Sequence, residues 1–142
     1  MFLGEYEYRI DSKGRLAIPP KFRGDFWEGI VLARGFDRCI YAYPPSVWEK
    51  LSEQFQGLPI TRSKERRKRR VMFATAFSLM PDEQGRILLP PPLREYAAIK
   101  DSAVFAGLND YVEIWSKGNW DEELALMDEQ GYQIAEESED RS

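Results

Sequence analysis

The sequence predicts an α+β fold, mainly strands with short helices, in which two tandem repeats share one core about a pseudo-twofold axis. Three observations predict it. First, Asp11-Ser-Lys-Gly-Arg15-Leu-Ala-Ile-Pro-Pro20-Lys-Phe-Arg23 recurs 71 residues later as Asp82-Glu-Gln-Gly-Arg86-Ile-Leu-Leu-Pro-Pro91-Pro-Leu-Arg94. Asp, Gly, Arg, an apolar triplet, Pro-Pro and the closing Arg all stay in register, which marks an internal repeat. Second, apolar and aromatic residues alternate in short runs separated by Gly and Pro, the period of half-buried strands. Third, 142 residues with 43% hydrophobic content, four Trp, seven Tyr and eight Phe can bury a core. One half alone, at roughly 70 residues, is marginal on surface-to-volume grounds, so the halves are expected to share it.

Residues 2–10 alternate Phe2, Gly4, Tyr6, Tyr8 and Ile10 with polar neighbours and read as a strand. Residues 11–14 fit a type I turn, with Asp11 favoured at its first position and Gly14 at its last. Residues 15–18 form the returning strand. Pro19 and Pro20 stop it and preset a short helix over 21–27, with Phe22 and Phe26 on one face. Strands follow at 30–33 and 39–43 around a turn at 34–38. Pro44 and Pro45 break the chain, and Ser46 is the expected N-cap of an amphipathic helix over 47–55.

Residues 63–72 read as a charged helix and 73–80 as a strand alternating Phe73, Thr75, Phe77 and Leu79. The second hairpin and a helix over 93–99 follow. From the central turn onward the repeat offset is 72, so Trp120 matches Trp48 and one residue is inserted upstream. The expected organisation is a first repeat at 1–56, a basic linker helix at 57–72, a second repeat at 73–124 and an acidic tail at 125–142, frayed from residue 136.

Charge is unevenly spread. The net charge is -4, yet residues 121–142 alone carry a net -8, and the block at 62–70 has seven basic residues against one acid. Such asymmetry points to polyanions rather than a neutral small-molecule substrate. No apolar leader follows Met1 and no run approaches a membrane span, so a cytoplasmic protein is expected. The single Cys39 excludes an intramolecular disulfide and, within an alternating apolar run, reads as a buried thiol.

Catalysis finds little support. There is no His, no Cys pair, no nucleophile elbow and no phosphate loop, so neither an enzyme nor a cofactor or metal is expected. The turn arginines admit two readings. Arg15 and Arg86 either pair locally with Asp11 and Asp82, or present guanidinium forks that read guanine edges or clamp phosphate. Their persistence in both copies favours the second. Lys13 and Gln84, at matching tip positions, are further base-edge readers. The 62–70 block is either a solvated face paired with the acidic tail or a phosphate-contacting element. Strand aromatics such as Tyr41 and Tyr43 read mainly as core rather than as stacking platforms.

The opening Met-Phe-Leu-Gly-Glu-Tyr, the two Asp-x-x-Gly-Arg turns, Arg34-Gly-Phe-Asp, Tyr43-Pro and Glu113-Ile-Trp-Ser116 resemble the MraZ family of bacterial transcriptional regulators, related to AbrB-type DNA-binding proteins. The resemblance implies a swapped-hairpin AbrB-like barrel, ring-shaped homo-oligomers, and binding to short direct repeats in double-stranded DNA upstream of the division and cell-wall gene cluster. By motif match it places Asp11, Arg15, Asp82 and Arg86 at the site. The roles expected from the residues themselves are base edges for Arg15, Arg86, Lys13 and Gln84 and phosphates for Lys21, Arg23 and Arg94. Asp11, Gly14, Asp82 and Gly85 then build the turns, and the protein is expected at the nucleoid. The alternative is an AbrB-like antitoxin-type module that binds a protein partner. A further expectation is autoinhibition, in which the acidic tail competes with DNA for the basic block.

Overall fold

The computed structural model describes residues 1–140. Its elements are β1 (Glu5–Arg9), β2 (Arg15–Ala17), α1 (Pro20–Arg23), β3 (Ile30–Arg34), β4 (Ile40–Tyr43), α2 (Pro45–Glu53), α3 (Ser63–Arg69), β5 (Phe77–Leu79), β6 (Arg86–Leu88), α4 (Pro91–Tyr96), β7 (Ser102–Gly107), β8 (Val112–Ser116) and α5 (Lys117–Asp140). The fold is α+β, mainly strands with short helices.

Six strands form one antiparallel sheet in the order β1-β7-β8-β4-β3-β5, and β2 pairs with β6 in a separate ribbon. The order is symmetric about the β8–β4 seam. The first strand of each repeat leaves its own half: β1 pairs with β7, and β5 pairs with β3. The halves are therefore interlocked, and one core takes Phe22, Phe26 and Leu32 from the first and Leu93, Phe105 and Ile114 from the second.

Among the described residues no sheet closes into a barrel. The six-stranded sheet is open, with edges at β1 and β5, and the hairpin that leads from β1 into β2 is paired at the isolated Ile10–Leu16 bridge and not as a continuous ladder. The ribbon strands are three residues each. Pro19–Pro20 and Pro90–Pro91 lie just beyond them and have no N–H with which to extend a ladder.

Helices α1, α2 and α4 start alike, with Pro19, Pro44 and Pro90 extended at the cap and a second proline at the first helical position. Ser46 is thus inside α2 and not its cap. The strand expected from Phe73 is also displaced. Residues Arg70–Ala74 continue α3 as a π-helical turn, and β5 begins only at Phe77. Phe73 sits there edge-on to Trp48 at 5.7 Å and to Phe55 at 5.6 Å, packing that overrides the alternation. The register corrects the repeat alignment too. Tyr6 faces Phe105 and its hairpin counterpart Phe77 faces Leu32, so Phe105 stands where Leu32 does, one residue further on than the 72-residue offset places it. The loop before β8 is correspondingly one residue shorter than the loop before β4. The fraying expected from residue 136 is absent as far as Asp140, where the backbone is still helical; residues 141 and 142 lie outside the described residues.

A second cluster covers the other sheet face, where Trp120 and Leu124 of α5 pack on Cys39, Val104, Ala106 and Trp115. Cys39 is fully buried, and that burial raises its thiol pKa well above the ordinary value.

Candidate nucleic-acid interface

Each turn is built by its aspartate. In the first, Asp11 Oδ1 accepts the backbone N–H groups of Lys13 at 3.0 Å and Arg15 at 2.8 Å, and Gly14 N donates to Asp11 O at 3.0 Å. In the second, Asp82 Oδ1 accepts from Gln84 and Arg86, both at 2.9 Å, and Gly85 N donates to Asp82 O at 2.9 Å. Gly14 and Gly85 hold φ of +82° and +75°, which side chains with a Cβ resist.

The remaining carboxylate oxygen takes the arginine side chain. Arg15 Nε donates to Asp11 Oδ2 at 2.7 Å, and Arg86 Nε donates to Asp82 Oδ2 at 2.9 Å. The local ion pair is therefore present in both copies. It uses only Nε: among the described residues the terminal nitrogens of Arg15 and Arg86 have no hydrogen-bond partner. An arginine gripped by its Nε edge keeps the two-nitrogen fork that reads a base or a phosphate. Hydrogen bonds from the arginine backbone, then from its side chain, hold both Asp11 and Asp82 below the ordinary carboxylate pKa. The turns are consequently charged and closed at neutral pH.

The ribbon brings the two arginines together. Arg15 lies opposite Leu88, Leu16 opposite Ile87 and Ala17 opposite Arg86. Leu16 and Ile87 face the core, so Arg15, Ala17, Arg86 and Leu88 share the outer face. Arg15 and Arg86 are diagonal neighbours, a relation that sets Cα atoms about 7–8 Å apart. Leu88 stands 58% exposed on this face. The sequence reading passed over it, although the period-2 alternation through Arg86, Ile87 and Leu88 carries the signal.

Each end of the ribbon draws on both repeats. Ile18 N donates to Gly85 O at 2.8 Å, and Leu89 N donates to Gly14 O at 3.1 Å. Arg23 in α1 lies against Gly85 of the second turn, and Arg94 in α4 lies against Gly14 of the first. Both helix arginines also bind backbone. Arg23 Nε donates to Ile18 O at 2.9 Å; Arg94 Nε donates to Ile99 O at 3.1 Å and its Nη2 to Lys100 O at 2.5 Å. Lys13, Gln84 and Lys21 are exposed. The first-turn end thus gathers Lys13, Arg15, Arg94 and Lys100, and the second-turn end gathers Gln84, Arg86 and Arg23. Lys100 was not singled out from the sequence.

The basic block is elsewhere, in α3 on the opposite face of the sheet from the ribbon. Arg69 Nη2 donates to Phe55 O at 2.6 Å and Arg66 Nη1 to Ile60 O at 3.0 Å, so these two fasten the preceding loop. The remaining cations are exposed. Among the described residues no helix is long and apolar enough to cross a membrane.

Comparison with known proteins adds to the geometry. A family model described as "MraZ protein, putative antitoxin-like" matches the chain twice, over residues 1–71 and 72–141. Proteins named Transcriptional regulator MraZ resemble it over most of their length. That of Roseiflexus castenholzii is 52% identical over 128 residues, covering 90% of each chain. That of Herpetosiphon aurantiacus is 49% identical over 136 residues, covering 96% of this chain and 95% of the relative. That of Dehalococcoides mccartyi is 45% identical over 137 residues, covering 96% of each.

Proposed function

The chain belongs to the MraZ family, and from that membership we propose that it is a sequence-specific DNA-binding transcriptional regulator, acting as a ring-shaped homo-oligomer on short direct repeats upstream of the division and cell-wall gene cluster. The observation that carries the reading is the outer face of the β2–β6 ribbon, where two Asp-held arginines stand with free terminal nitrogens. Arg15 and Arg86 contact base edges, Lys13 and Gln84 reach neighbouring bases, Lys21 meets phosphate through its exposed ammonium, and Arg23 and Arg94 meet phosphates through donors their backbone bonds leave over. Asp11, Gly14, Asp82 and Gly85 hold the turns in shape. The exchange of β1 and β5 between repeats supports kinship with swapped-hairpin AbrB-like folds, one chain here supplying what two subunits supply there. Its place of action is the cytoplasm, at the nucleoid.

Footprinting on DNA upstream of the chain's own gene tests this. Repeated short protected boxes are expected, and Arg15→Ala should weaken binding by about 1–3 kcal/mol per lost bidentate contact, compounded by avidity in a ring. Unchanged affinity in folded Arg15→Ala protein would remove the assignment. The antitoxin-like wording of the family description favours a second reading, a module that binds a protein partner. A stoichiometric co-purifying protein without a footprint would support it.

A further inference from the structure

The two halves of the sheet's outer face are treated differently. In the second repeat, Trp115 at the end of β8 meets Trp120 of α5 at 5.6 Å and 57°. In the first, Tyr43 at the end of β4 meets Trp48 of α2 at 5.5 Å and 53°, the same arrangement. From there the halves diverge. Helix α5 continues through Leu124 and covers Val104 and Ala106, whereas α2 stops at Glu53. What remains on the first half is a groove of about 510 Å³ between α2, α3 and the sheet, with Tyr43, Trp48, Leu51, Phe55 and Val71 along it. Its rim is cationic: Lys64, Arg67 and Lys68 of α3. Among the described residues Lys64 and Arg67 make no ion pair, and Lys68 pairs only with Glu65, at 3.5 Å.

Helix α5 has the complementary character. It is 24 residues long, about 36 Å at 1.5 Å per residue. Among the described residues its packing on the body is last seen at Leu124, and Leu126 and Met127 are 46% and 48% exposed beside Asp128 and Glu129. The segment from residue 121 to the end carries a net -8. Helix α5 packs on β7 and β8, and among the described residues none of its side chains lines the groove of its own chain.

We infer that the projecting half of α5 docks in the apolar, basic-rimmed groove of a second copy of this chain. Leu126 and Met127 enter the floor, and Glu122, Asp128 and Glu129 meet Lys64, Arg67 and Lys68. The groove is the pseudo-symmetric counterpart of the surface that α5 already covers in its own chain, so an amphipathic helix is the shape it fits. The contact is head-to-tail, because donor helix and acceptor groove are different surfaces, and such contacts close into rings or run on as filaments. The inference rests on the homo-oligomer reading above and names the interface that builds it. It also assigns the basic block to self-assembly and the acidic segment to the same contact in trans.

Sedimentation velocity of three full-length proteins without DNA tests it. The wild-type chain is expected as an assembly several times the 16.6 kDa protomer. A groove-reversed variant (Lys64→Glu, Arg67→Glu, Lys68→Glu) and a helix-reversed variant (Glu122→Lys, Asp128→Lys, Glu129→Lys) should each sediment as protomers, through like-charge repulsion. Mixed in equal amounts they should assemble again, since each then offers the sign the other lacks, and misfolded variants could not do so. Reversed variants that keep the wild-type size, or a mixture that stays protomeric, overturn the docking while leaving the ring intact as a reading. A wild-type chain that sediments as a protomer overturns both.

Discussion

Arg23 lies so close over Gly85 that a Cβ on that glycine would stand 2.5 Å from the arginine Nε, and the two residues belong to different repeats. The counterpart contact is looser: a Cβ on Gly14 would stand 3.5 Å from Arg94 Nη1 and 3.4 Å from Leu88 Cδ1. The two ends of the ribbon share a plan and differ in tightness. One end also presents Lys13 where the other presents Gln84, so the two turn tips differ in charge.

Alanine at the two glycines should separate strain from crowding. Both sites hold positive φ, and a non-glycine residue in such a conformation costs about 1–3 kcal/mol. Gly14→Ala should lose stability within that range. Gly85→Ala should lose more, because Arg23 must also give way. Denaturant midpoints measure the difference; equal losses would mean the arginine moves freely.

Acidification should open the turns. The carboxyl pKa values of Asp11 and Asp82 lie below the ordinary value in the folded chain, first through the backbone N–H groups of Arg15 and Arg86. A group depressed on folding adds stability that is fully present above the unfolded pKa and is lost as pH falls through the folded one. Stability should therefore hold down to about pH 4, near the unfolded value, and decline below it. The double variant Asp11→Asn, Asp82→Asn should be weaker at neutral pH and flatter in acid, as thermal melts across pH will show.

Glu113 should behave in the opposite sense. Burial raises its pKa, and the negative charge of Asp37 adds to the rise, while the Trp115 Nε1 hydrogen bond at 3.0 Å works against both. A carboxyl raised on folding favours the folded chain below the unfolded pKa, and that advantage is lost as pH rises through the folded value. Glu113→Gln keeps an acceptor for Trp115 and removes the charge. It should stabilise the protein at pH 7–8 by a margin that disappears near pH 4; a constant margin across that range would point to packing instead.

The repeats should unfold together. Phe105 is fully buried in the core that both halves build, and Phe→Ala at such a site costs about 3–5 kcal/mol. Phe105→Ala in the second repeat and Phe22→Ala in the first should each shift one common urea transition, followed by circular dichroism and Trp fluorescence. Two transitions in either variant would contradict the shared core.

Much of this was legible because it is local. An aspartate that builds a turn, a glycine that closes it and a proline pair that opens a helix act within a few residues of themselves, and all appear where the sequence places them. The sequence alone leaves the turn arginine as either an ion pair or a probe. The structure shows the pair at Nε and leaves the far nitrogens open, so one side chain can serve both ends. What was not legible is non-local. The alternation in β1 suits β3 as well as β7, so nothing short of the assembled sheet reveals the exchange. Phe73 fitted a strand by period and was taken by the aromatic surface of Trp48 and Phe55. The docking groove comes from a difference in length between two equivalent helices, a quantity that repeat alignment alone does not weigh.

The exchange of first strands also sets an order of events in synthesis. β1 emerges from the ribosome with its partner strand still roughly 100 residues away, a wait of about 5–20 s at ordinary elongation rates. For that interval Tyr6 and Tyr8 lack the strand they lie against in the finished sheet, and within the first repeat Tyr6 has Phe22 as its aromatic neighbour. The chain must hold an aromatic edge open until β7 is made, so its final locking step belongs to the last third of translation and to the moments just after release.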